Sequence, residues 1–480
     1  MIGAHPVRHI RAAEAALMAT GPDGALMQRA AAGLAARCAR LLGGPYGARV
    51  ALLVGAGDNG GDALFAGTRL ARRGARVEAV LSRPDRAHVD GLTALQAAGG
   101  RVAGRPVRAI AGADLVIDGL VGIGGKGGLR EEGARLAGLA RDQGGLVVAV
   151  DLPSGVDPDT GELPGAHVVA DVTVTFGTRK VALVVDPAAA AAGKVEDVDI
   201  GLGPYLPPPP VEVLEDADVA ALLPVPGRDA DKYRRGVVGV LAGSSEYSGA
   251  AVLAVGGAVC GGAGMVRYVG PEDAARGVLR RWPEVVTGTG RVRAWVVGPG
   301  LGAYSAAARA VAAALDDGLP VVVDADGLRH VPHRFDGPAL LTPHAGELAR
   351  LLGEARDEVE ARRLHHARAA AARWNATVLL KGSTTLVVTP DGRVRANPTG
   401  TPALATAGSG DVLAGLAGAL LGAGLEPFDA GSVAAYVHGA AGHLAARDSG
   451  YPSATSILDA LPHALARLRP PVIIGTFGPM

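Results

Sequence analysis

The residues with the clearest chemical potential form the sequence Gly408-Ser-Gly-Asp411, directly before an Ala- and Leu-rich segment of helical spacing. The first turn of a helix carries free backbone N–H groups and the positive end of the helix dipole, so it binds anions such as phosphate. Gly408 and Gly410 permit close approach of a phosphate. A carboxylate at Asp411 could accept a proton from a hydroxyl that attacks this phosphate. By themselves, these residues would also fit a glycine-rich turn with Asp411 as a helix cap.

A second set of polar residues follows three apolar segments in the N-terminal half. Gly55-Ala-Gly-Asp-Asn-Gly-Gly-Asp62 follows the first segment, Asp118 the second, and Asp151-Leu-Pro-Ser-Gly155 the third. Oxygen-rich side chains suit a hard cation, and glycine-rich loops with free N–H groups suit phosphates. Each acid alone would fit a helix cap or a turn, but their grouping at three strand ends predicts a ligand site.

Short apolar segments that alternate with helix-length segments position these residues. They predict a parallel sheet with helices on both faces, where ligands bind at the carboxyl ends of the strands. The predicted strands are 49–54, 77–81, 115–117, 146–150, 172–176 and 181–185, then 236–243, 265–269, 294–297, 320–323, 339–341, 376–380 and 385–388. The sequence therefore predicts an α/β protein.

Length and composition limit the class of protein. A chain of 480 residues exceeds one ordinary core, and four consecutive prolines end the segment 199–210. We therefore expect a domain at 1–210, a linker at 211–225 and a second domain at 226–475. The 47 basic and 47 acidic residues give zero formal net charge, which argues against a nucleic acid or an acidic membrane as the main partner.

Cysteine usage and hydropathy make two further exclusions. Cys38 and Cys260 lie in apolar segments, and neither C-x-x-C nor H-E-x-x-H occurs, so we expect no disulfide and no zinc site. The sequence has no apolar signal core after Met1, and we expect no segment that spans a bilayer. We therefore expect a cytoplasmic protein.

Residues from about 5 to 200 resemble the NAD(P)H-hydrate epimerases, whose loops read approximately G-x-G-N-N-G-G-D, I-D-x-x-x-G-x-G and D-x-P-S-G. The matching segments are 55–62, 117–124 and 151–155. The resemblance implies a Rossmann-like domain in which Asp151 moves a proton at the hydrated ring carbon. The potassium ligands that it implies are Asn59, Asp118 and Ser154. The implied contacts to the hydrated nucleotide, besides Asp151, are Asp58, Asn59, Gly60, Gly61, Asp62, Gly122, Ile123, Gly124, Gly125, Lys126, Gly127 and Gly128.

One residue departs from the epimerase pattern. Asp58 stands where the family usually has Asn. An additional carboxylate beside a bisphosphate repels it unless a cation or a hydrogen bond offsets the charge. Either Asp58 points away from the ligand, or the site binds the ligand more weakly.

Seven ordered motifs between residues 232 and 411 resemble the ADP/ATP-dependent NAD(P)H-hydrate dehydratases, which have a ribokinase-like fold. The motifs are Lys232-Tyr-Arg-Arg-Gly236, Tyr247-Ser-Gly-Ala250, Gly298-Pro-Gly-Leu-Gly302, Asp324-Ala-Asp326, Leu341-Thr-Pro-His-Ala-Gly-Glu347, Asn397-Pro-Thr-Gly400 and Gly408-Ser-Gly-Asp411. The resemblance implies that Asp411 is the catalytic base. The implied contacts to the hydrated nucleotide are Ala250, Gly302, His344 and Asp411, and those to ADP or ATP are Lys381, Gly382, Ser383, Thr384, Thr385 and Gly410. By themselves, His344 would also fit a capping residue and Lys381-Gly-Ser-Thr384 a solvated turn.

Together the resemblances imply two three-layer αβα domains, N-terminal Rossmann-like and C-terminal ribokinase-like, in a bifunctional repair enzyme. The first domain would epimerise the R and S hydrates of NADH and NADPH with potassium. The second would dehydrate the S form with magnesium and ADP or ATP. We expect hydrated NADH or NADPH and ADP or ATP as ligands, self-association into a homo-oligomer, and neither a nucleic-acid nor a membrane partner.

Two alternatives stay open from the sequence. The first is a ribokinase-type kinase of a small alcohol with a nucleotide-binding regulatory domain, which would release a stable phosphorylated product. The second is a non-enzymatic scaffold, a use that the epimerase-like fold has in some proteins. The scaffold would require the loss of Asp151 or of the set Asn59, Asp118 and Ser154, and all four residues are present.

Overall fold

The computed structural model describes residues 1–22, 24–302 and 305–468. The chain divides into two compact units. One unit is Gly3–Val211, and the other combines Met1–Ile2 with the chain from Glu212 onward. The end of the predicted second domain, 469–475, lies outside the described residues. Among the described residues, no helix combines the length and the apolar character that a membrane span requires.

The N-terminal unit is built from β1–β9 and α1–α7. Its strands are β1 Ile2–His5, β2 Arg49–Val54, β3 Arg76–Leu81, β4 Arg101–Val102, β5 Leu115–Gly119, β6 Leu146–Val150, β7 Val172–Phe176, β8 Arg179–Lys180 and β9 Lys194–Val198. Its helices are α1 Val7–Met18, α2 Ala25–Leu41, α3 Asp58–Arg72, α4 Val89–Ala97, α5 Pro106–Ala111, α6 Glu131–Gln143 and α7 Ala188–Ala191.

The main sheet of this unit has the strand order β4-β3-β2-β5-β6-β7-β9, and all of its pairs are parallel. Successive side chains of a strand point to opposite faces, and β2 follows this rule. Leu52 packs in the core formed with α2 and α3, whereas Leu53 packs on the other face with α5 and α6. Both faces are covered, which explains why the central strands β2, β5, β6 and β7 are apolar without clear alternation.

The predicted strand at 181–185 is wrong. Its first residues form a short 3₁₀ turn, Val181–Leu183, and the chain pairs only at β8 just before it. These apolar residues are buried, but they pack in a small cluster with Leu152 and Ala188 outside the sheet. The position beside β7 belongs to β9, a charged strand that the apolar pattern did not reveal.

The C-terminal unit is built from the remaining elements. Its strands are β10 Val211–Val213, β11 Val237–Leu241, β12 Met265–Tyr268, β13 Val286–Thr287, β14 Ala294–Val297, β15 Val321–Val323, β16 Ala339–Leu341, β17 Thr377–Leu380, β18 Thr385–Val388 and β19 Val394–Asn397. Its helices are α8 Asp216–Leu222, α9 Ser248–Cys260, α10 Glu272–Arg281, α11 Ser305–Asp316, α12 Ala345–Leu352, α13 Arg356–Ala361, α14 Arg363–Trp374, α15 Ser409–Gly422, α16 Pro427–Ser449 and α17 Ala454–Leu468.

The strands β13-β12-β11-β14-β15-β16-β17 follow one another in parallel, and β18 and β19 continue the sheet in antiparallel pairs. Helix α15 crosses the centre of this sheet and packs against α9 through small residues. A Cβ at Gly415 would lie 1.9 Å from the Ala254 carbonyl oxygen, so only glycine allows this approach. The close packing fixes the start of α15, with Asp411, at the carboxyl end of the central strands.

Candidate active sites

The N-terminal unit contains a buried carboxylate that an adjacent serine binds. Asp118 lies in β5, and Ser154 follows β6. Ser154 donates from its backbone N and its Oγ to the two carboxylate oxygens of Asp118, at 2.9 and 2.7 Å. Burial raises the pKa of Asp118 to about 6, and the hydrogen bonds from Ser154 oppose this rise. Because Asp118 is completely buried, its negative charge requires a compensating partner.

The polar atoms near Asp118 are mainly oxygens of the kind that bind cations. Ser154 Oγ accepts from Val121 N at 2.8 Å and lies 3.1 Å from the Val121 carbonyl oxygen. Asn59 is the second residue of α3, and a Cβ at Gly122 would lie 3.1 Å from its Oδ1. In the part of the chain that the structure describes, the buried Nδ2 of Asn59 has no hydrogen-bond partner. An oxygen set with one carboxylate fits a hard, singly charged cation.

Asp151 is held by a lysine. It follows β6 with a positive φ of 69°, a conformation that aspartate tolerates better than most residues. Its Oδ1 accepts from Lys180 Nζ, from Phe176 N at 3.1 Å and from Thr175 Oγ1 at 3.2 Å. Among the described residues no hydrogen bond reaches Oδ2, and 12% of the side chain is exposed. Oδ2 is therefore the oxygen that can meet a ligand.

Further carboxyl groups surround Asp151. Burial, aided by the charges of Asp151, Asp58 and Glu14, raises the pKa of Asp62 well above its usual range. Asp58 is exposed at the first position of α3, where the helix dipole favours a negative charge. Burial is the main cause that raises the pKa of Glu14 in α1, and the charge of Asp151 is the second. The cluster is therefore rich in acid, and an anionic ligand needs compensating donors.

Two glycine-rich segments supply such donors. Residues 58–62 begin α3, and residues 122–128 join β5 to α6. The contact of Asn59 with Gly122 brings the two segments together. Lys126 is exposed in the second segment, and a Cβ at Gly124 would lie 3.3 Å from a guanidinium nitrogen of Arg11. The predicted nucleotide contacts of this unit therefore share one edge of the sheet.

In the C-terminal unit, Asp411 lies in the first turn of α15, after Gly408 in the left-handed conformation (φ 86°). Burial raises the pKa of Asp411 to about 7, and the charges of Asp324 and Glu347 add to this rise, whereas Lys381 opposes it. A carboxyl with this pKa is half ionised near neutral pH, the condition in which a general base works best. The helix start places free N–H groups beside it.

Lys381 connects three strand ends. Its Nζ donates to Asp324 Oδ1 at 2.7 Å and lies 3.8 Å from Glu347 Oε2. Burial alone would lower the pKa of Lys381, but these two carboxylates outweigh burial and raise it. A Cβ at Gly410 would lie 3.3 Å from Nζ. Glycine at 410 therefore keeps the ammonium next to the N–H groups of α15.

The loops around Lys381 hold the other predicted contacts. His344 caps α12: its Nδ1 accepts from Gly346 N at 3.0 Å and from Glu347 N at 3.2 Å, and burial lowers its pKa. Gly302 N donates to Asp326 Oδ2 at 2.9 Å. His344 is therefore a capping residue, as the alternative interpretation of the sequence proposed. Capping still leaves the ring at the surface, with 54% of the side chain exposed.

Two glycines bring the remaining loops of this site together. A Cβ at Gly300 would lie 2.5 Å from Ala250 Cβ, so the first turn of α9 touches the loop after β14. A Cβ at Gly298 would lie 1.8 Å from the Asp324 carbonyl oxygen. Both glycines have a positive φ, of 60° and 125°. The loops and first helical turns at one edge of the C-terminal sheet therefore hold all five predicted residues, Ala250, Gly302, His344, Lys381 and Asp411.

Relatives match this chain along nearly its whole length. A protein of Mycobacterium leprae named bifunctional NAD(P)H-hydrate repair enzyme Nnr is 49% identical over 461 residues, which are 93% of this chain and 94% of the relative. Its namesake in Mycobacterium tuberculosis is 50% identical over 442 residues, 89% and 90% of the two chains. This chain belongs to the bifunctional NAD(P)H-hydrate repair enzymes. The predicted family membership is confirmed.

Each half also matches a family of its own. Residues 23–182 match the family described as YjeF-related protein N-terminus, and residues 238–463 match the family described as NAD(P)H-hydrate dehydratase. A crystal structure of the ADP/ATP-dependent NAD(P)H-hydrate dehydratase from Bacillus subtilis, co-crystallised with ATP and Mg²⁺, superimposes with a TM-score of 0.51. It is 31% identical and covers 54% of this chain and 99% of the other. The predicted α/β class with a ribokinase-like C-terminal domain is confirmed.

Three buried side chains of this repair enzyme were not among the predicted site residues. Lys180 binds Asp151, and Arg363 Nη2 donates to the carbonyl oxygens of Leu380, Lys381 and Thr384 at 3.2, 3.1 and 3.3 Å. His438 Nε2 lies 3.2 Å from Ser409 Oγ, and burial lowers the pKa of His438 to about 4. A lysine directly before the apolar segment at 181 was a usable signal. Arg363 and His438 lie in helices and gave none.

Proposed function

We propose that the N-terminal unit epimerises the R and S hydrates of NADH and NADPH, and that the C-terminal unit dehydrates the S form at the expense of ADP or ATP. The observation that carries the proposal is the arrangement of Asp411, Lys381 and the start of α15. It combines a base that is half ionised at neutral pH, a lysine ammonium and free N–H groups. Whole-length similarity to repair enzymes supports the coupling of this arrangement to the epimerase-type unit.

The dehydration needs an activated leaving group, because hydroxide leaves poorly. Asp411 accepts the proton of the hydrate hydroxyl while the oxygen of that hydroxyl attacks the terminal phosphoryl group of ADP or ATP. The attack releases AMP from ADP or ADP from ATP. The N–H groups of Gly408 and Gly410, together with Lys381, stabilise the charge on the transferred phosphoryl group. Phosphate then leaves with the C–O electron pair, and loss of a proton from the neighbouring ring carbon restores the double bond.

The nucleotide is expected to bring magnesium, as in the Bacillus subtilis dehydratase co-crystallised with ATP and Mg²⁺. Asp324 and Glu347 are the carboxylates next to Lys381, and one or two carboxylates plus phosphates are the usual Mg²⁺ ligands. A magnesium ion bound there would neutralise phosphate charge. The contacts assigned to ADP or ATP are Lys381, Gly382, Ser383, Thr384, Thr385 and Gly410, and those assigned to the hydrate are Ala250, Gly302, His344 and Asp411.

In the N-terminal unit, Asp151 exchanges a proton at the hydrated ring carbon through its accessible Oδ2. The glycine-rich segments at 58–62 and 122–128 hold the nucleotide phosphates by their N–H groups. Asn59, Asp118 and Ser154 would hold potassium, because Asp118 is a buried carboxylate that needs a positive partner, Ser154 binds it, and Asn59 Oδ1 lies at the loop that follows β5. A bound potassium ion would offset part of the acidic charge near the phosphates.

One assay tests the proposal. Acid-hydrated NADH is mixed with the protein, Mg²⁺, K⁺ and either ADP or ATP, and the absorbance of the reduced nicotinamide is followed. We expect the absorbance to return with release of inorganic phosphate, and both epimers to be consumed. A stable phosphorylated product without recovery of absorbance would support a ribokinase-type kinase instead. Omission of the nucleotide should leave epimer exchange, monitored by chromatography, as the remaining activity.

A further inference from the structure

Lys180 has the most complete set of partners of any site residue described above. Its Nζ lies in contact with Asp151 Oδ1 and within 3.1–3.2 Å of Thr175 Oγ1 and of the carbonyl oxygens of Phe176 and Thr178. Only 1% of the side chain is exposed. An ammonium has three N–H groups, and four acceptors surround them. Lys180 therefore has no N–H left for a ligand.

The backbone around Lys180 is also fixed. Strand β8, which contains Lys180, pairs in parallel with β1 through His5. The three backbone and hydroxyl acceptors belong to β7 and to the turn after it. The ammonium is thus held in place by the chain itself, independently of Asp151. It presents a fixed positive charge and a fixed hydrogen bond to Oδ1 of Asp151.

We propose that Lys180 is a positioning residue of the epimerase reaction: it binds Asp151 Oδ1 and leaves Oδ2 as the single oxygen that exchanges the proton. The inference rests on the proposed role of Asp151. The hydrogen bonds from Phe176 N and Thr175 Oγ1 reach the same oxygen, Oδ1. All donors therefore converge on one side of the carboxyl group and orient the other side toward the ligand.

The surroundings explain why a buried lysine is needed there. The charge of Asp151 acts on two neighbouring carboxyl groups, Glu14 of α1 and Asp62 of α3. Asp58 of α3 acts on the same two groups, while Arg11 of α1 opposes these charges at Glu14. The three neighbours of α1 and α3 that carry the negative charge are Glu14, Asp58 and Asp62. All three are carboxyl groups, and neighbouring carboxylates favour the protonated form of one another. Without a cation, the negative charges of this cluster would, in the described part of the chain, be opposed by no positive side chain in contact with Asp151. Lys180 supplies the opposing charge at the one carboxylate that must accept a proton.

The experiment compares epimer exchange in the full-length protein without ADP or ATP, so that the second unit is silent. Lys180→Met removes the charge and keeps the length of the side chain. We expect exchange at pH 7 to fall about 100-fold, and the acid limb of its pH profile to move upward by about one pH unit or more. Lys180→Arg keeps the charge and should retain the wild-type limb at a reduced rate. Lys194→Met, which removes an exposed lysine of β9, is the matched control and should change neither quantity.

Two further measurements separate positioning from folding. In an Asp151→Asn background, Lys180→Met should cause no additional loss, because Lys180 acts through Asp151. Thr175→Val removes one hydroxyl partner but no charge, so it should slow exchange severalfold and move the acid limb by less than Lys180→Met does. This variant tests the inference even if Lys180→Met fails to fold. Dehydration of the S form and the melting curve of each variant report on folding.

These measurements distinguish failure of the inference about Lys180 from failure of the proposed epimerase activity. Exchange by Lys180→Met at the wild-type rate and with the wild-type pH profile would overturn the inference while leaving the proposed function intact. An additional loss in the Asp151→Asn background would also overturn it, since Lys180 would then act independently. Absence of exchange in the wild-type protein would instead refute the proposed epimerase activity itself.

Discussion

The two sites each contain a lysine paired with an aspartate, but the two pairs differ in how much of the lysine remains available. Lys180 contacts Asp151, is 1% exposed and has acceptors for every N–H group. Lys381 donates to Asp324 at 2.7 Å, is 20% exposed, and lies beside the N–H groups of α15. The first lysine can act only on its carboxylate, whereas the second can also bind a phosphate.

The difference extends to the carboxyl groups that we assign to catalysis. Asp151 accepts a hydrogen bond from its lysine, whereas Asp411 has no direct contact with Lys381 among the described residues and feels only its charge. Burial therefore dominates at Asp411 and raises its pKa to about 7. The same two residue types thus produce a charge-stabilised carboxylate in one unit and a base with a raised pKa in the other.

The largest expected effect tests the role of Asp411 in the C-terminal unit. Asp411→Asn removes the base, so dehydration driven by ADP or ATP should fall about 1,000-fold, while epimer exchange continues at the wild-type rate. Recovery of the reduced-nicotinamide absorbance measures dehydration, and chromatography of the two epimers measures exchange. Asp448→Asn, at an exposed position of α16, is the matched control. Dehydration by Asp411→Asn at the wild-type rate would show that another group is the base.

The second prediction tests the role of Asp151 in the N-terminal unit. Asp151→Asn keeps the shape of the side chain but removes the proton acceptor, so epimer exchange should fall by about 100-fold or more. Dehydration of the S form should remain, and the R form should accumulate. The assay supplies a mixture of both epimers with ADP and Mg²⁺ and follows each by chromatography. Equal consumption of both epimers by the variant would remove Asp151 from the mechanism.

The third prediction uses the raised pKa of Asp411. The base form of a carboxyl grows as the pH rises, so with a pKa of about 7 the kcat/KM for the S hydrate should increase about tenfold per pH unit below pH 7 and level off above it. The dissociation constant of the Mg²⁺-nucleotide, measured over the same range, separates ionisation of the nucleotide from that of Asp411. A flat profile down to pH 5.5 would contradict the assignment.

The smallest expected effect concerns the cation proposed for the N-terminal unit. Replacing K⁺ by a large organic cation should lower the melting temperature by roughly 2–4 °C, because a ligand that binds only the folded state stabilises it by about 1–2 kcal/mol at modest saturation. Asp118→Asn removes the carboxylate of the site and should abolish the difference between the two salts. An equal shift in the wild type and in Asp118→Asn would show that potassium acts elsewhere.

Sequence reasoning found the parts of both sites that depend on local order. Gly408 and Asp411 are three residues apart, so the helix start that follows them fixes their relation. Asp118, Asp151 and Ser154 follow strands, and parallel strands bring their carboxyl ends to one edge. It failed at 181–185, because an apolar segment can be buried in a side cluster as well as in a sheet. The spacing of apolar residues shows that a segment is buried, but it does not show which element the segment packs against.

Both the parallel α/β architecture and the order of the glycine-rich and acidic segments were determined by the sequence itself, since strand period, helix period and loop chemistry are local properties. Only the tertiary structure decided which charges meet. Lys180 lies 29 residues from Asp151, and Lys381 lies 57 residues from Asp324. Burial of these pairs depends on strand order and on packing between distant segments. For that reason the ionisation of Asp411, and the contrast between the two lysines, could be read only from the folded chain.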